Sequence, residues 1–207
     1  MTHHSPSDFN FRVAYWALDS AQKVSEPTSL KLWWSGVEWR NYALLKHSVS
    51  GAMEQGRIAS WFRPSTLSGV MEGQIAFRVK TPDDGAQVYP FYSVQFGATL
   101  RKWYRYTAQR VVTMVKDWAS ESPNILEAGV WRAVRVTWWN GYNASNQPAT
   151  AVKLEVSIDG VWYAYSTAYD TQQLNKGQEI QRCGVGSFIT TTGAYLNIDD
   201  TEFYKPV

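Results

Sequence analysis

Along most of this chain apolar and polar residues alternate with a period of two. Nowhere do apolar residues recur at helical spacing for more than a turn or two. A period of two marks a strand, because successive side chains leave it on opposite sides. The clearest run is AVKLEVSIDGVWYAY, residues 151–165. Val152, Leu154, Val156 and Ile158 share one face; Lys153, Glu155 and Ser157 share the other. Asp159-Gly160 then predicts a tight hairpin, since glycine tolerates the positive φ such turns need. GVWRAVRVTWW (129–139) places Val134, Val136 and Trp138 on one side and Arg135, Thr137 and Trp139 on the other. YPFYSVQFG (89–97) aligns Tyr92, Val94 and Phe96. SLKLWW (29–34), GRIASWFRP (56–64), GQIAFRVK (73–80), EIQRCGVGSFI (179–189) and AYLNIDDTEFY (194–204) read as further strands. KWYRYTAQRVVTMVKDW (102–118) reads as two strands with a break near Thr107–Gln109.

Clusters of Gly, Pro, Asn and Asp separate these runs, as in PSTLSG, TPDDG and NGYNASNQP. The pattern predicts an all-β fold of about twelve strands, arranged as a two-sheet antiparallel β-sandwich or jelly roll. No internal repeat or linker divides it. The expected organisation is a flexible N-terminal tail over 1–8 and a single sandwich domain over 9–207, with the first and last strands side by side. Segment 119–129 has room for one helical turn.

The charge narrows the partners. Twenty Lys and Arg against eighteen Asp and Glu leave +2, no strong electrostatic case for nucleic acid or an anionic membrane. KWYRYTAQR interleaves cations with rings as single-strand binders do, but the balanced charge argues against nucleic acid, and solvent-facing cations on a sandwich explain it without a ligand. No apolar run approaches the ~18 residues of a membrane-spanning helix. No charged-then-apolar leader is seen, so synthesis in the cytoplasm is expected, with a virion or surface-displayed destination left open. The single cysteine, Cys183, excludes an intrachain disulfide and is expected to be buried. Three histidines and one cysteine do not make a typical zinc site. Eleven Trp, twelve Tyr and eight Phe exceed what a core readily absorbs, because each buried indole N–H wants a partner.

The order of elements resembles the concanavalin A-like lectin/glucanase superfamily, particularly its laminin-G-like members. GVWRAVRVTWW is similar to that family's Gly-x-Trp-x-x-Val-x-Val strand, and LEVSIDGVW to its apolar-x-apolar-x-Asp-Gly hairpin. CGVGSF followed by LNIDDTEFY is similar to its closing Gly-x-Gly and Ile-Asp-Asp segments. DFNFRVAYWALDSAQKVSEPTSLKLWW and GVEWRNYALL resemble its opening strands. Ile-Asp-Asp endings also occur in galactose-binding-like jelly rolls, the competing fold. The resemblance implies a concanavalin A-like jelly roll, a scaffold that hosts lectins, hydrolases, lyases and virion parts alike.

Three aromatic clusters are candidates for binding a glycan or a protein neighbour. Sugars offer apolar C–H faces to rings and hydroxyls to amides, and Trp, Tyr and Arg also dominate protein interfaces. The clusters are Trp139 and Tyr142 with Asn140 and Asn143; Trp103, Tyr104 and Tyr106; and Trp39 with Tyr42. For any one ring, core packing is the simpler account. Adjacent Asp199 and Asp200 interrupt the last strand, and Asp200, continuing the Leu196/Ile198 face, is expected to point inward. A hydrogen-bonded latch is favoured there over a structural calcium, the only cofactor considered. Glycoside hydrolysis needs two carboxylates flanking the bond, and the Glu-x-Asp-x-(x)-Glu spacing of the superfamily's hydrolases is absent. The expectation is therefore non-catalytic: a lectin-like module binding glycan through exposed Trp and Tyr. The alternatives are a structural or decorating protein of a phage or virus particle and, third, a glycoside hydrolase or polysaccharide lyase.

Overall fold

The computed structural model describes residues 2–3, 9–11, 16–24, 28–33, 40–46, 52–80, 90–179 and 181–205. These hold sixteen strands and no helix: β1 (Thr2–His3), β2 (Phe9–Phe11), β3 (Trp16–Asp19), β4 (Ser29–Trp33), β5 (Arg40–Leu45), β6 (Gly56–Pro64), β7 (Met71–Val79), β8 (Phe91–Phe96), β9 (Arg101–Tyr106), β10 (Val112–Asp117), β11 (Arg132–Tyr142), β12 (Pro148–Ile158), β13 (Val161–Ala164), β14 (Ala168–Asp170), β15 (Arg182–Ile189) and β16 (Tyr195–Tyr204). The count exceeds the expected twelve because the shortest strands carry too few residues for alternation to show. Asp159 and Gly160 turn the β12–β13 hairpin with φ of 51° and 81°, both in the left-handed region.

Two antiparallel sheets form. The nine-stranded sheet runs β13-β12-β11-β6-β16-β4-β3, with β1 also on β16 and β14 also on β12; the seven-stranded sheet runs β10-β9-β8-β7-β15-β5-β2. Thr2 and His3, within the expected tail, pair with Phe203 and Glu202, which brings the first and last strands together.

Val134, Val136 and Trp138 of β11 and Val152, Leu154 and Val156 of β12 face Ile75 and Phe77 of β7, Val94 of β8 and Trp103 of β9, all fully buried. Phe77 joins the layers, stacked 5.2 Å from Tyr92 and 5.0 Å from Trp138. Each such side chain contributes about 1.5–3 kcal/mol by leaving water. Cys183 lies in the same core, fully buried.

Two local expectations are corrected. Segment 119–129 forms turns instead of a helical turn. The Arg101 guanidinium gathers the carbonyls of Trp118 and Ala119 and the Asn124 side chain, fixing a non-helical path. In β16 it is Asp199, not Asp200, that is buried. A bulge interrupts the pairing between Asp199 and Glu202, and Asp200 takes φ of 45° within it. The alternation that would have turned Asp200 inward is broken there. Asn197 and Asp199 leave the sheet on the side away from the core. Val24 N–H donates to Asp199 Oδ2 at 2.7 Å and Asp200 N–H to its Oδ1 at 2.8 Å. Beside it, Asn197 Nδ2 donates to Asp19 Oδ2 at 3.2 Å and Ser29 Oγ at 3.0 Å. Backbone donors thus offset the burial of the carboxylate.

Candidate functional site

Each sheet has one face in the shared core and one turned outward, and the two outward faces differ. On the seven-stranded sheet, register aligns Tyr42, Gly186, Gln74, Gln95 and Lys102 across one row. A second row holds Leu44, Gly184, Ala76, Ser93 and Tyr104. Phe91 and Tyr106 stack with centroids 4.5 Å apart, Tyr42 meets Phe91 edge-on at 5.6 Å, and Gln95 Nε2 donates to Tyr106 Oη at 2.7 Å. Every residue of β7 and β8 is buried, so the middle of this sheet is enclosed on both sides. Gln74 and Ser93 are 0% exposed, and their polar side-chain atoms have no hydrogen-bond partner among the described residues.

This placement corrects much of the predicted site. Trp103 lies in the main core, and Tyr106 and Tyr42 form a second buried cluster with Phe91, Leu44, Ala76 and Val79; Tyr104 packs half-buried against it. Neighbouring rings take up their faces: Phe91 that of Tyr106, and Phe77 and Tyr92 lie against Trp103. Trp39 lies outside the described residues.

The outward face of the nine-stranded sheet is open. Trp139 stands opposite Ala151, and Ala151 opposite Tyr169 on β14. Two strand spacings separate the rings' backbone positions by about 10 Å. Gly141 follows Trp139 on the same face, and a Cβ there would sit 3.1 Å from the indole Nε1 and 3.4 Å from Cδ1. Because glycine has no side chain, the half-buried indole leans along the sheet instead of standing away from it. Tyr169 is 42% exposed and Trp162, farther along the face, 40%. The Arg135 guanidinium lies 4.2 Å over the Trp162 ring and holds Glu155 through two 2.8 Å hydrogen bonds. Lys153 Nζ adds a third contact to Glu155 at 3.0 Å. Burial alone would raise the Glu155 pKa, but the bonds and charges of Arg135 and Lys153 outweigh it and hold the carboxyl below its usual range.

Tyr169 is aimed outward by its neighbours. Ala168 and Asp170 are buried, and Asp170 accepts from Tyr92 Oη and Arg105 Nη1, both at 2.6 Å. Burial first, and the adjacent Asp170 charge second, push the Tyr92 phenol above its ordinary range. The same end of the sandwich absorbs two predicted binding residues. Asn140 accepts from buried Arg78 Nη2 at 2.6 Å and donates to Glu54 Oε1 at 3.0 Å. The Asn143 carboxamide oxygen accepts from the N–H groups of Ser145 and Gln147, shaping the β11–β12 turn. Tyr142 is 64% exposed but alternates onto the opposite side of β11 from Trp139, so the two rings do not form one patch. Tyr169 and Trp162 were missed: β14 has three residues, too few to read, whereas Gly141 two places after Trp139 was a visible signal for a leaning ring.

Comparison with known proteins agrees on architecture. No protein-family model matches the chain, and no curated protein matches it. Among solved structures, a protein of unknown function from Shewanella oneidensis MR-1 aligns with a TM-score of 0.60 at 12% identity, over 96% of this chain and 78% of that one. A Bauhinia forficata lectin in complex with GalNAc aligns at 0.55 and 12% identity, over 98% and 94%. A carbohydrate esterase from the Shiga toxin-encoding bacteriophage phi24B aligns at 0.52 and 12% identity, over 98% and 93%. The fold is a concanavalin A-like β-sandwich.

Proposed function

We propose that this chain is a non-catalytic glycan-binding module whose binding face is the outward surface of the nine-stranded sheet at Trp139 and Tyr169. The observation that carries this reading is the indole of Trp139 leaning over Gly141 on an open face, with exposed Tyr169 across Ala151. A ring lying along a sheet offers its π-face to the apolar C–H face of a pyranose. A second ring about two strand spacings away engages a neighbouring unit of the same oligosaccharide. Thr137 and Lys153 lie opposite each other beside this row and supply polar groups for hydroxyls. Lectins share the sandwich, which makes the fold compatible with this use without assigning it.

A glycan array followed by calorimetry tests the reading. Trp139→Ala and Tyr169→Ala should each weaken binding about tenfold or more, equivalent to about 1.4 kcal/mol. Trp139→Ala should cost no more than about 1 kcal/mol of stability. Tyr142→Ala, on the other side of the strand, should leave affinity unchanged. An array blank at high concentration, with a protein partner bound through the same rings, would replace this reading with contact inside a larger assembly.

A further inference from the structure

The row of residues next to Trp139 is cationic, and this bears on which glycan the face accepts. Register places Tyr204 opposite Arg57, Arg57 opposite Thr137, and Thr137 opposite Lys153. This row lies two residues along the strands from Trp139–Ala151–Tyr169, a separation of about 7 Å. That is the reach of a substituent on a pyranose stacked over the indole.

The cations here outnumber the carboxylates. Arg135 and Glu155 form a closed two-bond pair, so the Lys153 contact to Glu155 is in excess of what neutralises that carboxylate. Arg57 lies 5.4 Å over the Tyr204 ring. No carboxylate among the described residues pairs with its guanidinium, and its buried Nε has no hydrogen-bond acceptor among them. Glu202, opposite Ala59 and one row beyond, is the other acid on this part of the face among the described residues. Among the described residues Arg57, Arg135 and Lys153 therefore stand against Glu155 and Glu202, and the surplus is positive beside the open ring.

Resting on the glycan-binding reading above, we infer that the preferred ligand is an acidic polysaccharide bearing a carboxylate on its sugar ring. The ring stacks on Trp139 and the carboxylate is held by Arg57 and Lys153. The planar guanidinium suits a carboxylate because it can donate two parallel N–H bonds to it. With no carboxylate partner among the described residues, Arg57 reaches such a ligand without first breaking an ion pair to any of them.

The test uses the full chain and two probes of similar length, a polygalacturonate oligomer and a neutral β-glucan oligomer, titrated calorimetrically at low salt and at about 0.5 M salt. The acidic oligomer should bind about tenfold more tightly than the neutral one at low salt and lose most of that advantage at high salt. Arg57→Gln combined with Lys153→Gln should abolish the preference, weakening the acidic oligomer about tenfold more than the neutral one, with the melting temperature nearly unchanged. Trp139→Ala should weaken both. Equal binding of the two oligomers, dependent on Trp139 but indifferent to the double substitution, overturns this inference alone. Binding of neither, or binding indifferent to Trp139, overturns the glycan-binding reading with it. Should the double variant melt early, Arg57→Lys supplies the check: it keeps the charge but loses the fork, so a preference intermediate between wild type and the double variant supports the assignment and an unchanged one opposes it.

Discussion

The two outward faces of this sandwich are both rich in rings and polar groups, yet they put them to different uses. On the seven-stranded sheet, Tyr42, Phe91, Tyr104 and Tyr106 contact one another, and the amides beneath them are closed off from water. On the nine-stranded sheet, Trp139, Trp162 and Tyr169 stand apart, and the rings with close partners meet cations. Aromatic abundance alone therefore does not mark a binding surface. What distinguishes the open face is that Trp139, Trp162 and Tyr169 have not used their flat sides on one another among the described residues.

The sharpest way to break this comparison is to remove one ring from each face. Tyr106→Ala should cost about 3–5 kcal/mol, as for other fully buried aromatics. Trp139→Ala should affect ligand affinity far more than stability. Equal losses of denaturant midpoint in the two variants would show that the faces are not different in kind.

Acid should act on the open face next. Glu155 has a depressed folded pKa, so its contribution to stability is complete above its ordinary value of 4.5 and is lost as pH falls through the lower, folded value. Thermal melts should therefore decline below about pH 4.5, and Glu155→Gln should flatten part of that decline. A variant whose acid limb matches wild type would mean that the Arg135–Glu155–Lys153 cluster does not contribute there.

The smallest effect is expected on the closed face. Replacing Gln74 with Leu removes a buried amide that has no partner among the described residues. It should be neutral or stabilising by up to about 1 kcal/mol. A loss of more than about 2 kcal/mol would mean that this amide does hold the face together.

Much of the scaffold was legible because alternation is an imprint of one-sided burial. β11 and β12 show it cleanly and form the walls of the core as read. β7 and β8 are buried on both sides, so the side a residue takes there says nothing about exposure. The same applies to Trp103 and Tyr106, which take opposite faces of β9 and are both buried. Tyr169 was invisible because three residues give no periodicity, and the Asp199/Asp200 inversion because a bulge adds a residue without a composition signal. Of the first aromatic cluster, Trp139 was placed correctly on its strand face. Its companions were assigned by nearness in sequence, which in a strand brings neighbours to opposite sides.

The place of β16 has a bearing on how the chain is made. It lies between β6 and β4 in the middle of the nine-stranded sheet, and its Asp199 ties down Val24, 175 residues earlier. A nascent chain emerging from the ribosome can pair β11 with β12 early, but β4 and β3 have no neighbour to join them to β6 until residues 195–204 arrive. Completion of this sheet is thereby postponed until β16 has been made, and a chain cut short before Tyr195 would leave two sheet edges open to association with other molecules.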